Sequence, residues 1–219
     1  QSQTDSYRRI RNTFRYLIGN LDGFTNEEKI DEEDFPDLEK FILHRLWEVD
    51  KTIQECVKTF NFHLMFTTLL NFCSNDLSAF YFDIRKDVIY CDGKKSIERR
   101  SSRTLLDIIF NYLVRWFAPS LSFTTEEAWK SRNNVSSIHL EDFLITPESY
   151  KNSEVNDIWI TLKQIRKVIT GALEKKRADK IIGSSLEAHI DIYLEKSILE
   201  KVKNYQLDEI SITSSFELH

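Results

Sequence analysis

The chain has 219 residues, of which 41% are hydrophobic and 30% charged, a composition typical of a globular protein with a substantial core. Only 5 Gly and 3 Pro occur, which argues against a turn-rich sandwich or barrel and favours long helices. The net charge of −5 excludes binding of nucleic acid or membrane through bulk charge. The most apolar run, residues 105–118, is interrupted by Asp107, Asn111 and Arg115, so no membrane span is expected.

Apolar residues recur at helical spacing along most of the chain. This spacing predicts a first helix over residues 4–20, whose four arginines and single acid give it a local positive charge. Residues 21–55 carry 12 acids against four basic residues, and the run around Pro36 is predicted to be a solvated loop. Asp37 is expected to cap a second helix that ends near residues 59–61.

A long central helix is predicted over residues 62–91, and we expect the rest of the chain to cover it. Polar residues around Asn71 are expected to loosen or bend its middle. Its apolar face is formed by Cys73, Leu77, Phe80, Tyr81, Ile84 and Val88. Asp76 and Asp83 share a neighbouring face and have the residue type for acid–base catalysis. We expect this carboxylate row to pair with arginine from a neighbouring helix instead.

Another long helix is predicted over residues 97–118, and it is apolar around most of its circumference. Its single polar seam consists of Arg103, Asp107, Asn111 and Arg115. We expect this seam to form an inter-helix network rather than to read nucleotide bases. Thr124 and Glu127 have the spacing of a capping box for a short helix through Trp129. Residues 131–153 are predicted to form a surface connection.

The pattern changes near residue 182. Helical spacing over residues 154–180 gives way to alternating apolar and polar residues over 188–194 and again over 207–213, which predicts two short strands with a helix between them. The predicted fold is therefore mainly α. A helical bundle over residues 1–181 is followed by a small α+β subdomain over residues 182–219.

Sequence patterns for catalysis and metal binding are thin. The chain has no GxSxG, HExxH or GxGxxG motif and no phosphate-binding glycine loop. The 5 histidines are scattered, so no metal site and no catalytic residue is expected. Cys56, Cys73 and Cys91 form no CxxC pair, which indicates free thiols in a reducing compartment.

Local basic clusters are better candidates for function. Residues 85–103 hold seven basic residues against three acids, and residues 163–180 hold seven against two. Together with the arginines of the first helix they have the charge to follow a phosphate backbone, although such runs are more often solvated faces.

Five blocks of the sequence are distinctive. They are YRRIRNTFRYLIGNL at 7–21, DLSAFYFDIRKDVIY at 76–90, RRSSRTLL at 99–106, FAPSLSFTTEEAW at 117–129 and RADKIIGSSLEA at 177–188. In order and spacing they resemble the anticodon-binding region of bacterial-type isoleucyl-tRNA synthetases, over nearly the whole chain. The first and last blocks favour the isoleucyl over the valyl enzyme. The valyl enzyme remains an alternative, as does a helical scaffold that receives a partner helix.

The resemblance implies a class I synthetase bundle that lies behind the catalytic and editing domains of a longer chain. Its expected partners are those domains and the isoleucine-accepting tRNA, in the cytoplasm, without membrane or DNA. The HIGH and KMSKS signatures of the family are missing from this sequence. We therefore expect a fragment without catalytic residue, metal or cofactor, whereas the parent enzyme attaches isoleucine to tRNA with ATP and Mg²⁺.

Candidate RNA-binding residues come from the three basic clusters. Unstacked anticodon bases are open to hydrogen bonding and stacking, and Lys and Arg hold the surrounding phosphates. The predicted contacts are Arg11, Asn12, Arg15, Arg85, Arg99, Arg100, Arg103, Lys175, Lys176 and Arg177.

Overall fold

The structure is a computed structural model that describes residues 2–132 and 136–219. It is mainly helical, with one small sheet, which confirms the predicted fold class. The chain forms two compact units, Gln1–Asn152 and Ser153–His219. No helix among the described residues is both long enough and apolar enough to cross a membrane.

The first unit is a helical bundle built around its fifth helix, Ile97–Phe117. Its helices are α1 (Ser2–Asn20), α2 (Asp37–Lys58), α3 (Phe62–Asn71), α4 (Phe82–Cys91), α5 (Ile97–Phe117) and α6 (Ser122–Arg132). Single 3₁₀ turns lie in the connections at Asn26–Glu28, Glu32–Asp34, Ile138–Leu140 and Glu148–Tyr150. Helix α5 contacts α1, α2, α4 and α6, as its nearly all-round apolar surface predicts.

Helix α1 has one buried and one exposed face, because its apolar residues repeat at helical spacing. Ile10, Phe14 and Leu17 are buried. The Phe14 ring meets the edges of Phe110 and Phe117 of α5, with centroid separations of 6.3 and 6.0 Å. The opposite face of α1 is left for solvent or for a partner.

The predicted helix over residues 62–91 is continuous, but Phe72–Tyr81 winds as a π-helix between α3 and α4. The predicted loosening of its middle is thus a change to wider turns, which often occur at functional or strained positions. The predicted apolar face is buried from Cys73 to Ile84. Asp76 accepts a hydrogen bond from Arg45 of α2 at 3.4 Å, the pairing expected for the carboxylate row.

Two predicted helix caps are wrong. Helix α2 begins at Asp37 itself, with Pro36 as the N-cap residue and no side-chain cap. Pro36 has φ −59° and ψ 161°, an extended entry into the helix in which the proline ring fixes φ. Helix α6 begins at Ser122, which places Thr124 inside the first turn instead of before it.

The second unit is a small α+β arrangement. It consists of α7 (Ser153–Ala178), β1 (His189–Ile192), α8 (Lys196–Val202), α9 (Leu207–Ser211) and β2 (Ser215–Leu218), with a 3₁₀ turn at Ser185–Glu187. The strands are parallel, and His189 lies opposite Ser215. Helix α7 groups with this unit because it contacts α8 and α9. A domain boundary after residue 181 stays a prediction.

The second predicted strand, over residues 207–213, is wrong. Leu207–Ser211 is helix α9, in which Leu207 and Ile210 are buried one turn apart. Strand β2 follows it at Ser215–Leu218. The reason is topological, since parallel strands need a crossover connection and α8 and α9 supply it.

The three cysteines differ in accessibility, and this predicts their reactivity. Cys91 is exposed, whereas Cys56 and Cys73 are buried. Burial raises the pKa of the Cys73 thiol to about 12 and also raises that of Cys56. The thiolate is the reactive form, so only Cys91 should react quickly with a disulfide reagent in the folded protein. All three thiols should react after unfolding. Cys91→Ser should remove the fast reaction and Cys56→Ser should retain it; rapid labelling of more than one thiol would contradict this prediction.

Candidate nucleic-acid interface

The first predicted cluster lies on the exposed face of α1. Arg11, Asn12 and Arg15 are all exposed, and Arg11 and Arg15 lie one helical turn apart on the same face. The structure therefore brings these three predicted residues together on a rigid helix that Phe14 fixes to α5.

An open cleft of about 460 Å³ adjoins this face. Tyr90, near the end of α4, is 65% exposed. Tyr16 stacks on Phe82 with ring centroids 4.1 Å apart, and burial raises its pKa, so the hydroxyl remains protonated. The cleft offers a guanidinium, amides and aromatic rings, the groups that hold phosphates and unstacked bases. Its lining residues are Asn12, Arg15, Tyr16, Gly19, Asn20 and Tyr90.

Arg85 is held inside the first unit. It is 5% exposed, and its Nε and Nη2 atoms donate to Glu39 at 2.8 and 2.9 Å. Glu39 is fully buried and also accepts from Tyr81 at 3.0 Å and from Ser102 at 3.2 Å. Burial raises the pKa of Tyr81 well above its ordinary value, which keeps its hydroxyl a donor. This network joins α2, α4 and α5.

The arginines in the first turns of α5 hold the connection between α1 and α2. Arg100 Nε donates to the Glu28 carbonyl oxygen at 3.0 Å. Arg103 is 5% exposed and donates to Glu28 Oε2 at 2.8 Å and to the Asp22 carbonyl at 2.7 Å. Arg99 Nη1 lies 3.7 Å from the same Glu28 carboxylate. The acidic segment thus neutralises much of this basic cluster.

The polar seam of α5 is an inter-element network, as predicted. Asp107 forms ion pairs with Lys29 at 3.0 Å and with Arg132 at 2.7 Å. Arg115 forms one with Glu141 at 2.7 Å. These contacts tie the connections on both sides of α5 to the bundle.

The third predicted cluster ends α7 in the second unit. Lys175 and Lys176 are exposed. Arg177 forms an ion pair with Glu174 and donates to Ser185 Oγ at 2.8 Å. Among the described residues, neither Lys175 nor Lys176 has an ion-pair partner, so their ammonium groups are available to bind phosphate.

Sequence reasoning predicted Asn12 but missed Tyr16, Asn20 and Tyr90 of the cleft. Asn12, Tyr16 and Asn20 repeat every four residues, so their common face was available from the sequence. The position of Tyr90 was not, because α4 is far from α1 along the chain and only packing brings them together.

The fold and the family match define the class of this chain. Residues 39–192 match the family described as the anticodon-binding domain of tRNA ligase. The chain belongs to this family, and the match begins in α2 and ends with β1.

Three similar relatives are isoleucine–tRNA ligases. The chain is 50% identical over 223 residues to the isoleucine–tRNA ligase of Pelagibacter ubique (strain HTCC1062), covering 100% of this chain and 25% of that protein. It is 42% identical to the isoleucine–tRNA ligase of Zymomonas mobilis subsp. mobilis, covering 98% and 24%. For that of Bartonella henselae the identity is 44%, covering 100% and 23%. The chain thus spans about a quarter of the length of these relatives, and the predicted resemblance is confirmed.

Proposed function

We propose that this chain is the tRNA-recognition part of an isoleucine–tRNA ligase and that it binds the anticodon region through α1 and its cleft. The observation that carries the proposal is that Asn12 and Arg15 line one cleft with Tyr90, next to the exposed Arg11 on α1. Membership of the anticodon-binding family and the names of its relatives support it.

The charge distribution suits selective binding. The chain carries a net charge of −5, so RNA is repelled by most of the surface and attracted to local patches. Arg11 and Arg15 hold phosphates, while Asn12 hydrogen-bonds a base edge and Tyr90 stacks on a base. Lys175 and Lys176 form a second set of phosphate contacts in the proposal.

The proposed interface excludes five of the predicted residues. One is Arg177, which is paired with Glu174 and Ser185, and the other four are arginines of the cluster at residues 85–103. The guanidinium groups of Arg85, Arg99, Arg100 and Arg103 bind glutamate side chains or backbone carbonyls within the first unit. Their contribution is to hold the bundle and the connection that follows α1, and hence the position of the RNA-binding face.

In this proposal, the reaction that attaches isoleucine to tRNA is catalysed by other parts of the longer enzyme. The remainder of the longer chain, with catalytic and editing domains, attaches isoleucine to the tRNA in the cytoplasm with ATP and Mg²⁺. The part described by this structure positions the tRNA and touches none of the reacting atoms.

Reversal of charge at Arg15 tests the proposed function. Arg15→Glu should weaken binding of isoleucine tRNA. Because one phosphate contact is lost, the fall of log affinity with log salt concentration should also become less steep, by about 0.7 in the slope. Affinity is measured at two or more salt concentrations for this tRNA and for the same tRNA with an altered anticodon. The altered anticodon should weaken binding to the unsubstituted chain.

Lys58→Glu is the matched control, since Lys58 is exposed at the end of α2, outside the cleft, and the change in net charge is equal. It should leave the tRNA affinity nearly unchanged. Equal losses for both variants would show that net charge alone attracts the RNA and would contradict the proposed interface. Binding insensitive to salt and to the anticodon would favour the helical scaffold instead.

A further inference from the structure

We propose that His189, Asp191, Glu217 and His219 form a surface site for a divalent transition-metal ion, with Zn²⁺ as the ion to test. The site lies within the second unit and uses none of the residues of the proposed RNA-binding surface. The sequence predicts no metal site because its histidines are scattered. The parallel pairing of β1 and β2 brings two of them together.

The strand register places the four side chains on one face of the sheet. Asp191 lies directly opposite Glu217. His189 precedes Asp191 by two residues and His219 follows Glu217 by two, so each shares the face of its carboxylate neighbour. The His219 backbone continues the ladder, since its N–H donates to the Ile192 carbonyl at 2.9 Å.

The separations fit metal coordination. One ligand atom from each of His189, Asp191 and Glu217 lies within 4.8 Å of the other two. Asp191 Oδ1 is 3.4 Å from His189 Nε2 and 3.6 Å from His219 Nε2. Two atoms bound to one tetrahedral zinc ion at about 2.0 Å each lie about 3.3 Å apart. Small side-chain rotations therefore suffice to bring the ligand atoms of His189, Asp191 and Glu217 around one ion. His219, which lies close to Asp191, supplies the fourth ligand in the proposal.

Neighbouring groups orient both imidazole rings. His189 Nδ1 lies 2.7 Å from Ser215 Oγ. A metal ion bound to Nε2 leaves the ring proton on Nδ1, which then donates a hydrogen bond to Ser215 Oγ. Hydrogen bonds of this kind fix the ring orientation of metal-binding histidines. The His219 ring stacks on Tyr193 with centroids 4.7 Å apart and an interplanar angle of 17°.

The charges on this face favour a bound cation. Like charges directly opposite one another destabilise a pair of strands, and Asp191 and Glu217 are such a pair. Within residues 2–132 and 136–219, no lysine or arginine forms an ion pair with either carboxylate. A divalent ion between them removes the repulsion. The mixture of imidazole and carboxylate suits Zn²⁺ and related ions, whereas Mg²⁺ prefers oxygen ligands in octahedral geometry.

Calorimetric titration of the metal-free 219-residue chain with ZnCl₂ tests the site. We expect one zinc ion per chain at this site and a loss of affinity of about tenfold or more for His189→Gln and for His219→Gln. His63→Gln is the matched control, because His63 is exposed on α3 in the other unit. It should bind zinc as the unsubstituted chain does, and a large excess of Mg²⁺ should not displace the zinc.

Absence of zinc binding by the unsubstituted chain would overturn the proposal. Equal affinity in His189→Gln, or an equal loss in His63→Gln, would also overturn it, because either result places the zinc elsewhere. Asp191→Asn provides a second variant of nearly identical shape should a histidine variant fail to fold. It too should weaken zinc binding, and circular dichroism of each metal-free variant verifies its fold.

Discussion

Glu39→Ala should lower the free energy of unfolding of the first unit by about 3–5 kcal/mol. Glu39 is fully buried and holds Arg85, Tyr81 and Ser102 around one carboxylate. Its removal leaves the Arg85 charge inside the bundle without a counter-charge and leaves two hydroxyl donors without their acceptor. Urea denaturation followed by circular dichroism measures the loss.

Glu55→Ala is the matched control for this variant. Glu55 lies on the same helix but its side chain is exposed, so the change should stay within about 0.5 kcal/mol. The double variant Glu39→Leu/Arg85→Met should recover part of the loss, because two apolar groups replace both charges at once. A loss below about 1 kcal/mol for Glu39→Ala would show that the network contributes far less than its burial indicates.

Phe14→Ala should also destabilise the first unit by about 3–5 kcal/mol, the range for removal of a buried aromatic side chain. Phe14 is 3% exposed and fits edge-on against Phe110 and Phe117. The substitution leaves a cavity between α1 and α5 and loosens the helix that carries Arg11 and Arg15. We therefore expect weaker tRNA binding as well, although Phe14 itself faces the core.

Phe123→Ala makes the same chemical change at a position that is 93% exposed. It should change stability by no more than about 0.5 kcal/mol and should leave tRNA affinity unaltered. Similar losses for the two variants would contradict the packing of α1 on α5. Preserved tRNA affinity in a folded Phe14→Ala chain would show that binding does not depend on the position of α1.

The basic clusters illustrate why charge along the sequence is an incomplete guide to an interface. Residues 85–103 carry an excess of basic residues, yet Arg85 and Arg103 are buried against glutamates from the acidic segment. Those partners are distant in sequence, so counts within a window miss them. Arg11 and Arg15 remain exposed because they lie on the face of α1 that points away from the buried Ile10, Phe14 and Leu17.

The sequence by itself determined where most helices lie, since helical spacing of apolar residues is a local property that survives without knowledge of neighbours. It also determined the mainly α class and the family, through five ordered blocks. Only the tertiary structure decided the parallel pairing of β2, the grouping of α7, the cleft beside Tyr90 and the meeting of His189 with His219. Each depends on contacts between segments distant along the chain, and periodicity shows which face of an element is apolar but not which partner covers it.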